Sequence, residues 1–429
     1  MAICILGRVQ MVLCRSFLRR MVIVDRKEAV AVGLQRTHEL RKRTLFALLV
    51  VVIYMLCRSI SLYGVSMDNS AGGSGSQYFL TMLLSGSHDR ATVMALGIAP
   101  YINASLLVQI VFAFKNAASR AKVSKLESDR WMLAVSVLIS LAMAAFQSFE
   151  FEYVPSAGPI WALRLLAALG MFAGAMLTSF LCSMNEKHGI GTSMPIILTN
   201  ILTSLFQSLG SSHFIEYPAV LVLWIAAVAG TIAMENSFVK IPLQRVSIHN
   251  IHADQNYLAY KRAPMGMMPV MFASSAFLVP AFVMRMLSEL FPQNAGLAAA
   301  ADGMSLMRPL GACVYLVLIV VLSVGFSLLM LNPKETAHQL QRSGDSVVGI
   351  YAGRQTERYL VHTVLVLSLL SGFLQAACMA GSLALSFSSL VPVSLAMMPA
   401  TMMVVVSIVC SLCREIASYR RYDAYRFFM

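Results

Sequence analysis

Ten long apolar stretches, separated by short charged segments, decide what this chain can fold into. They run over roughly 44–63, 91–114, 131–149, 160–184, 190–210, 214–235, 265–287, 309–331, 359–380 and 388–412. Each is long enough to cross a hydrocarbon core, which takes ~20 apolar residues in an α-helix. Charged residues make up only 12% of the 429, and apolar residues 58%. A soluble domain carries about 25% charge, so a soluble globule built from this chain could not cover its surface. An all-α integral membrane protein is expected, with no room for a sizeable soluble enzyme domain. Disorder, collagen and a disulfide scaffold are excluded on the same composition.

The charges lie between the stretches and are unevenly shared. With the N-terminus inside, the inner segments 1–43, 115–130, 185–190, 236–262, 332–358 and 413–429 hold 28 Lys and Arg, and the outer segments hold 4 (Arg90, Arg164, Arg285 and Arg308). Arg58 lies near the outer end of the first span. Positive residues accumulate on the cytoplasmic side, so ten spans with both termini cytoplasmic are expected. This split also accounts for the net charge of +13 without a nucleic-acid partner. Residues 1–43 form a basic, partly amphipathic segment and 413–429 a tail. The spans divide into halves of five, 44–210 and 211–412. Five is odd, so homologous halves would have opposite orientation, although no sequence repeat connects them. After the first span comes the polar stretch Asp68–Ser76, then Gln77–Leu84 (QYFLTMLL). The latter is apolar but too short to cross, and suits a buried half-helix.

Enzyme signatures are missing. There is no G-x-x-x-x-G-K-[ST], H-E-x-x-H or G-x-S-x-G, and no His/Cys/Asp cluster at metal spacing, so no cofactor or metal is expected. His188, His249, His252, His338 and His362 fall on inner loops or near span ends. Cys410 and Cys413 form a lone C-x-x-C, read as two small apolar residues at the end of a span. Glu150, Glu152, Glu216, Glu235 and Glu289 all sit at span ends, which disfavours a proton- or ion-coupled pump, because such proteins bury acids near the midplane. Three spans instead carry a Gly/Pro break: Leu96–Gln109 (LGIAPYINASLLVQ), His188–Asn200 (HGIGTSMPIILTN) and Gly266–Ser275 (GMMPVMFASS). Pro100, Pro195 and Pro269 are expected to kink their helices. The short polar residues after them (Asn103, Thr199, Asn200, Ser274, Ser275) point to a central pathway.

LGIAPYINASLLVQ resembles the second-span signature of the SecY family of protein-conducting channels. Gly189–Leu198 resembles the start of that family's fifth span, and 268–281 (MPVMFASSAFLVPA) its seventh. NPKETA at 332–337 with GIYAGRQTERY at 349–359 resembles the loop between its eighth and ninth spans. The motifs occur in order from about 41 to 426. The resemblance implies two inverted five-helix halves around an hourglass pore, a plug in the outer funnel, and a lateral gate between the second, third, seventh and eighth spans. The plug falls at about 72–88, on Gln77, Tyr78, Phe79, Leu80, Leu83 and Leu84. The apolar ring falls on Ile98, Ile102, Met194, Leu198, Met271 and, within a residue or two, Thr401. Such a constriction excludes ions by dewetting, and flexible Met side chains can seal around a passing peptide.

The resemblance further implies a bacterial plasma-membrane translocase whose partners are a SecA-type ATPase, a SecE-like small membrane subunit and a secreted polypeptide. Docking of the motor would fall on Lys240, Arg245, Tyr351, Arg354 and Arg358. The family loop usually reads GIRPG; here Tyr351 holds the arginine position, with Arg354 and Arg358 placed to substitute. The loop beginning Ile241–Asn250 (IPLQRVSIHN) resembles the accessory SecY of Gram-positive bacteria, which exports large serine-rich glycosylated adhesins with the help of accessory secretion proteins. A divergent housekeeping SecY and a small-molecule secondary transporter are the alternatives.

Overall fold

The structure is a computed structural model that describes residues 38–65, 92–114, 125–151, 153, 159–210, 218–245, 257–274, 276–277, 284, 303, 306, 308–351, 353–387, 393–396 and 398–425. The expected plug and residues 1–37 lie outside the described residues. In chain order the elements are α1 (His38–Arg58), α2 (Ala99–Phe114), α3 (Lys125–Glu150), α4 (Ile160–His188), α5 (Met194–Gly210), α6 (Pro218–Asn236), β1 (Phe238–Arg245), β2 (Tyr257–Lys261), α7 (Pro309–Leu331), α8 (Pro333–Ser343), β3 (Asp345–Val347), α9 (Arg354–Phe387), α10 (Val393–Ala396) and α11 (Met398–Tyr425). A further helical segment covers 268–274. All ten apolar stretches contain helix among the described residues. Among the described residues, five helices are long and apolar enough to cross a membrane: Glu127–Phe149, Ile160–His188, Pro309–Ser343, Arg354–Phe387 and Met398–Arg421.

The helices pack as neighbours, α3 along α2 and α4, α7 along α9, and α6 along α11. Their outer faces expose large apolar side chains, including Leu48 and Leu56 of α1, Leu138 of α3 and Phe373 of α9. That is the surface a lipid-facing helix needs, since apolar faces are not penalised there. The largest apolar core runs through most of the bundle's helices, with Met132 of α3 packed against it, and includes Tyr54, Ile98, Ile201, Phe277, Tyr315, Met379 and Val404. A smaller core joins α3 and α4 to the turn after α1 and the turn before α2 through Leu62, Leu96, Ala144 and Met171.

The segments between helices are more structured than an all-α reading expects. β1 is the middle strand of an antiparallel sheet of order β2-β1-β3. It pairs with β2 over Phe238–Pro242 and with β3 over Leu243–Arg245. Proline cannot donate to a ladder, and Pro242 sits at the handover between the two pairings, where its carbonyl accepts from the Val348 N–H at 3.2 Å. Asn332, at φ 40°, turns the chain sharply between α7 and α8. α8 is amphipathic, with Pro333 and Ala337 buried one turn apart. Ile241, Tyr260, Ala337, Val347 and Leu360 form a small core that binds the sheet to α8 and α9. α9 starts at Arg354, five residues before the apolar stretch. Its 34 residues span ~51 Å at 1.5 Å per residue, well beyond a ~30 Å hydrocarbon core, so one end projects beyond the core.

Candidate functional site

The three prolines do not kink helices. Pro100 is the second residue of α2, Pro195 the second of α5, and Pro269 the second of the 268–274 helix. Proline is well suited there, because a first-turn N–H has no partner inside the helix and the ring's fixed φ already matches helical geometry. A glycine at positive φ precedes each: Gly97 (53°), Gly191 (79°) and Gly266 (57°). The breaks are therefore turns that end in new helix starts, and the backbone leading into α2, 94–98, is buried. Pro399 is likewise the second residue of α11, without a glycine just before it.

The ring candidates cluster at these starts. Ile98 precedes α2 and Ile102 lies in its first turn. Met194 opens α5 and Leu198 follows one turn on. Met271 and Thr401 are each the fourth residue of their helix. Ile98, Ile102 and Met271 are buried at 0%, 6% and 6% exposure in one apolar core, against which Met194 and Leu198 pack. Thr401 is buried and its hydroxyl donates to the Met398 carbonyl at 2.9 Å, so it presents no free polar group to its surroundings. Met267, Met398, Met402 and Met403 belong to the same core.

The short polar residues after the breaks fasten helices. Thr199 donates to the Pro195 carbonyl at 2.8 Å, and Ser274 to that of Val270 at 2.9 Å. Ser274 also pairs with the Tyr315 hydroxyl at 3.1 Å. Asn200 donates to the Tyr54 hydroxyl at 2.7 Å and accepts from Arg58 at 2.8 Å. Arg58 is thus buried against α5, where the sequence reading put it simply near a span end. Asn103 keeps a buried side-chain oxygen without a hydrogen bond among the described residues.

One end of the bundle gathers the polar elements. Arg43 of α1 reaches the Gly189 carbonyl and stacks over Tyr419 of α11, 4.9 Å from the ring centroid. The Gly191 N–H donates to Glu415 at 3.1 Å. The sheet, α8 and the start of α9 occupy the same end. Among the docking candidates, Lys240 lies over the Tyr257 ring at 4.7 Å, and Tyr351 is 82% exposed. Arg354 and Arg358 are exposed on the first turns of α9 and so do not lie in a loop. Arg245 ends β1 beside Asp345 in register; its side chain lies outside the described residues. β1 and β3 bring the 236–262 and 332–358 segments into one unit.

Two features escaped the sequence reading. One is Pro399, although M-P after a break was already visible at 194–195 and 268–269. The other is Glu235, read as a span-end charge. It is 1% exposed and contacts both Lys261 and Arg414, so Lys261 is not simply a lipid-flanking charge. Burial pulls the Lys261 ammonium below its ordinary pKa, while the neighbouring Glu235 carboxylate pushes it back up.

The SecY family model matches residues 92–413. The accessory Sec system protein translocase subunit SecY2 of Streptococcus pneumoniae serotype 4 is 25% identical, over 90% of this chain and 97% of its own. The protein translocase subunit SecY of Streptococcus gordonii is 26% identical, over 83% of this chain and 85% of its own. A solved structure described as that of a protein-conducting channel superposes with a TM-score of 0.64 at 16% identity, covering 91% of this chain and 94% of that one.

Proposed function

The chain belongs to the SecY family, and from that premise we propose that it is the channel subunit of an accessory protein translocase. It is a multi-pass membrane protein and a channel; the family is not one of enzymes. In this reading ten spans form two inverted halves, 44–210 and 211–412, with the plug at about 72–88 in the outer funnel. The end carrying the sheet and both termini face the cytoplasm of a bacterial cell, and the channel lies in the plasma membrane. A polypeptide passes the ring of Ile98, Ile102, Met194, Leu198, Met271 and Thr401. It crosses to the outer face, and the lateral gate lies between the second, third, seventh and eighth spans, where α2 and α7 touch.

The observation that carries this reading is the convergence of the ring candidates at proline-initiated helix starts within one apolar, Met-rich core. Starting a helix in such surroundings leaves fewer orphan N–H groups when proline takes one of the first positions. What remains at the centre is apolar side chain, which seals by dewetting.

A SecA-type ATPase supplies the energy by docking on Lys240, Arg245, Tyr351, Arg354 and Arg358. A SecE-like small subunit and accessory secretion proteins complete the complex, and the cargo is a large serine-rich glycosylated adhesin. The SecY2 relatives and Tyr351 in the arginine position support the accessory assignment. The similar identity to Streptococcus gordonii SecY keeps a divergent housekeeping channel as the second reading. Ile102→Asn and Met271→Asn test the pore. Each should raise the resting ion conductance of reconstituted channels, because a polar group wets the constriction; unchanged conductance in both would remove these residues from the ring.

A further inference from the structure

A buried carboxylate sits where the docking sheet, the bundle and the ring-bearing segment meet. Glu235 lies in the last turn of α6. Its Oε2 contacts Lys261, the last residue of β2, and Arg414 of α11. Its Oε1 accepts from the Ser407 hydroxyl of α11 at 2.6 Å. Arg414 also donates to the Glu235 backbone carbonyl at 2.6 Å, capping the end of α6. Gly266 presses against the same carboxylate: a Cβ there would lie 2.7 Å from Oε1, and its φ is +57°. Its carbonyl accepts from Gln375 of α9. The 262–266 turn is thus held at Lys261 by the ion cluster and at Gly266 by α9, and Met271 follows within two turns of chain.

Ordinary stability does not explain such a cluster. A buried ion pair is offset by the cost of removing its charges from water, and apolar residues of similar size hold a bundle at least as well. Its charge count suggests a different use. One carboxylate faces two cations. If Lys261 lets go, Glu235 and Arg414 remain a neutral, hydrogen-bonded pair, so release leaves no uncompensated buried charge. Lys261 is also the leg able to move: Arg414 is tied to the Glu235 carboxylate, to its backbone carbonyl and to Ser411, whereas Lys261 meets Oε2 with a side chain exposed enough to hydrate on release. It is attached to a sheet whose strands are locked in register to the 345–347 strand beside the docking candidates.

We propose that Glu235 and Arg414 are a fixed anchor and Lys261 a releasable one, which together position the 268–274 segment and its Met271 relative to the docking sheet. A load on the sheet draws Lys261 from the cluster and shifts the ring. The proposal rests on the channel reading above, with these three as positioning residues. Lys261→Met keeps the stem and removes the charge. It should raise resting ion conductance about tenfold, the size of a typical coupling between sites, while the SecA-type ATPase still co-purifies at the wild-type level. Lys261→Arg should stay tight. Met271→Asn runs beside them as the control for a leaking ring. Should Lys261→Met not reach the membrane, Lys261→Gln carries the same comparison. A tight Lys261→Met beside a leaking Met271→Asn overturns the anchor alone, as does a leak of equal size in Lys261→Arg. Loss of ATPase binding in proportion to the leak overturns it too, by moving Lys261 to the docking surface. A Met271→Asn channel that does not leak takes Met271 out of the ring, and the anchor, which positions Met271, falls with it.

Discussion

Gly174→Ala is a severe test of how the turn before α2 is held. Gly174 lies on α4, and a Cβ built there would stand 2.0 Å from the Val93 carbonyl oxygen and 2.8 Å from its carbon. Both obstacles are backbone, so no rotamer change relieves them. Carbon and oxygen normally approach to ~3.3 Å at closest, so α4 and the 92–98 turn would have to separate by more than ~1 Å. That turn is also held from the other side by the Val93 N–H on the Ile60 carbonyl at 3.0 Å, and braced internally by the Gly97 N–H on that of Met94 at 2.9 Å. Overpacking costs ~1–3 kcal/mol where side chains can adjust; with backbone on both sides the upper end applies, ~3 kcal/mol. At ~1.4 kcal/mol per tenfold, this is about a hundredfold in the folded ratio. The control is Gly325→Ala on α7, where none of the described residues lies within 4 Å of the new Cβ; it should melt with or slightly above wild type. Thermal unfolding of the detergent-solubilised protein reads both. If Gly174→Ala melts with Gly325→Ala, the close approach of α4 to the turn carrying Ile98 is refuted.

Other outcomes follow from the charges. Cysteines placed in 332–358 should be closed to impermeant label from outside intact cells, since the basic segments lie inside; external labelling would overturn the orientation. Arg354→Glu should leave insertion and stability within ~0.5 kcal/mol of wild type, as an exposed residue does. It should also slow ATPase association in a salt-dependent way and abolish export. Normal ATPase co-purification and export would remove Arg354 from the docking face. Asn200→Leu strips the hydrogen bonds to Tyr54 and Arg58; a buried partner left this way costs ~1–3 kcal/mol, read as a lower melting temperature, and wild-type melting would refute that role.

Helices were legible wherever apolar length alone decides. The stretch 309–331 coincides with α7, and 160–184 with most of α4, because lipid demands an unbroken run with every backbone group satisfied internally. Beyond the apolar stretches that pressure is gone, and the reading weakened. Arg354–Arg358 (RQTER) looks like loop, yet it opens α9 because Thr356 and Leu360 bury on the same face against the small core under the sheet. β1 (FVKIPLQR) alternates as a strand should, but Pro242 at its middle hides it, and only the split pairing with β2 and β3 makes the proline tolerable. The prolines of the apolar stretches were visible and their effect was misassigned. A proline kinks a helix only where a turn of helix precedes it; Gly97, Gly191 and Gly266 end that possibility three or four residues upstream.

The charge census conceals a further distinction. Counting Lys and Arg by side treats each as solvated, which suffices for orientation because the bias operates on loops. It cannot tell a charge facing lipid headgroups from one turned inward. Lys261 and Arg414 both count towards the inner 28, and both are spent on Glu235. Arg58 is spent on Asn200. The charges left exposed at the sheet-bearing end, among them Arg342, Arg354 and Arg358, are those free to meet an acidic partner. A basic loop residue here is therefore a docking candidate only once the buried acids near it have been matched, and that matching depends on which helix ends meet in three dimensions. Glu235 and Lys261 are 26 positions apart, and Glu235 and Arg414 are 179, so no window along the chain contains the cluster.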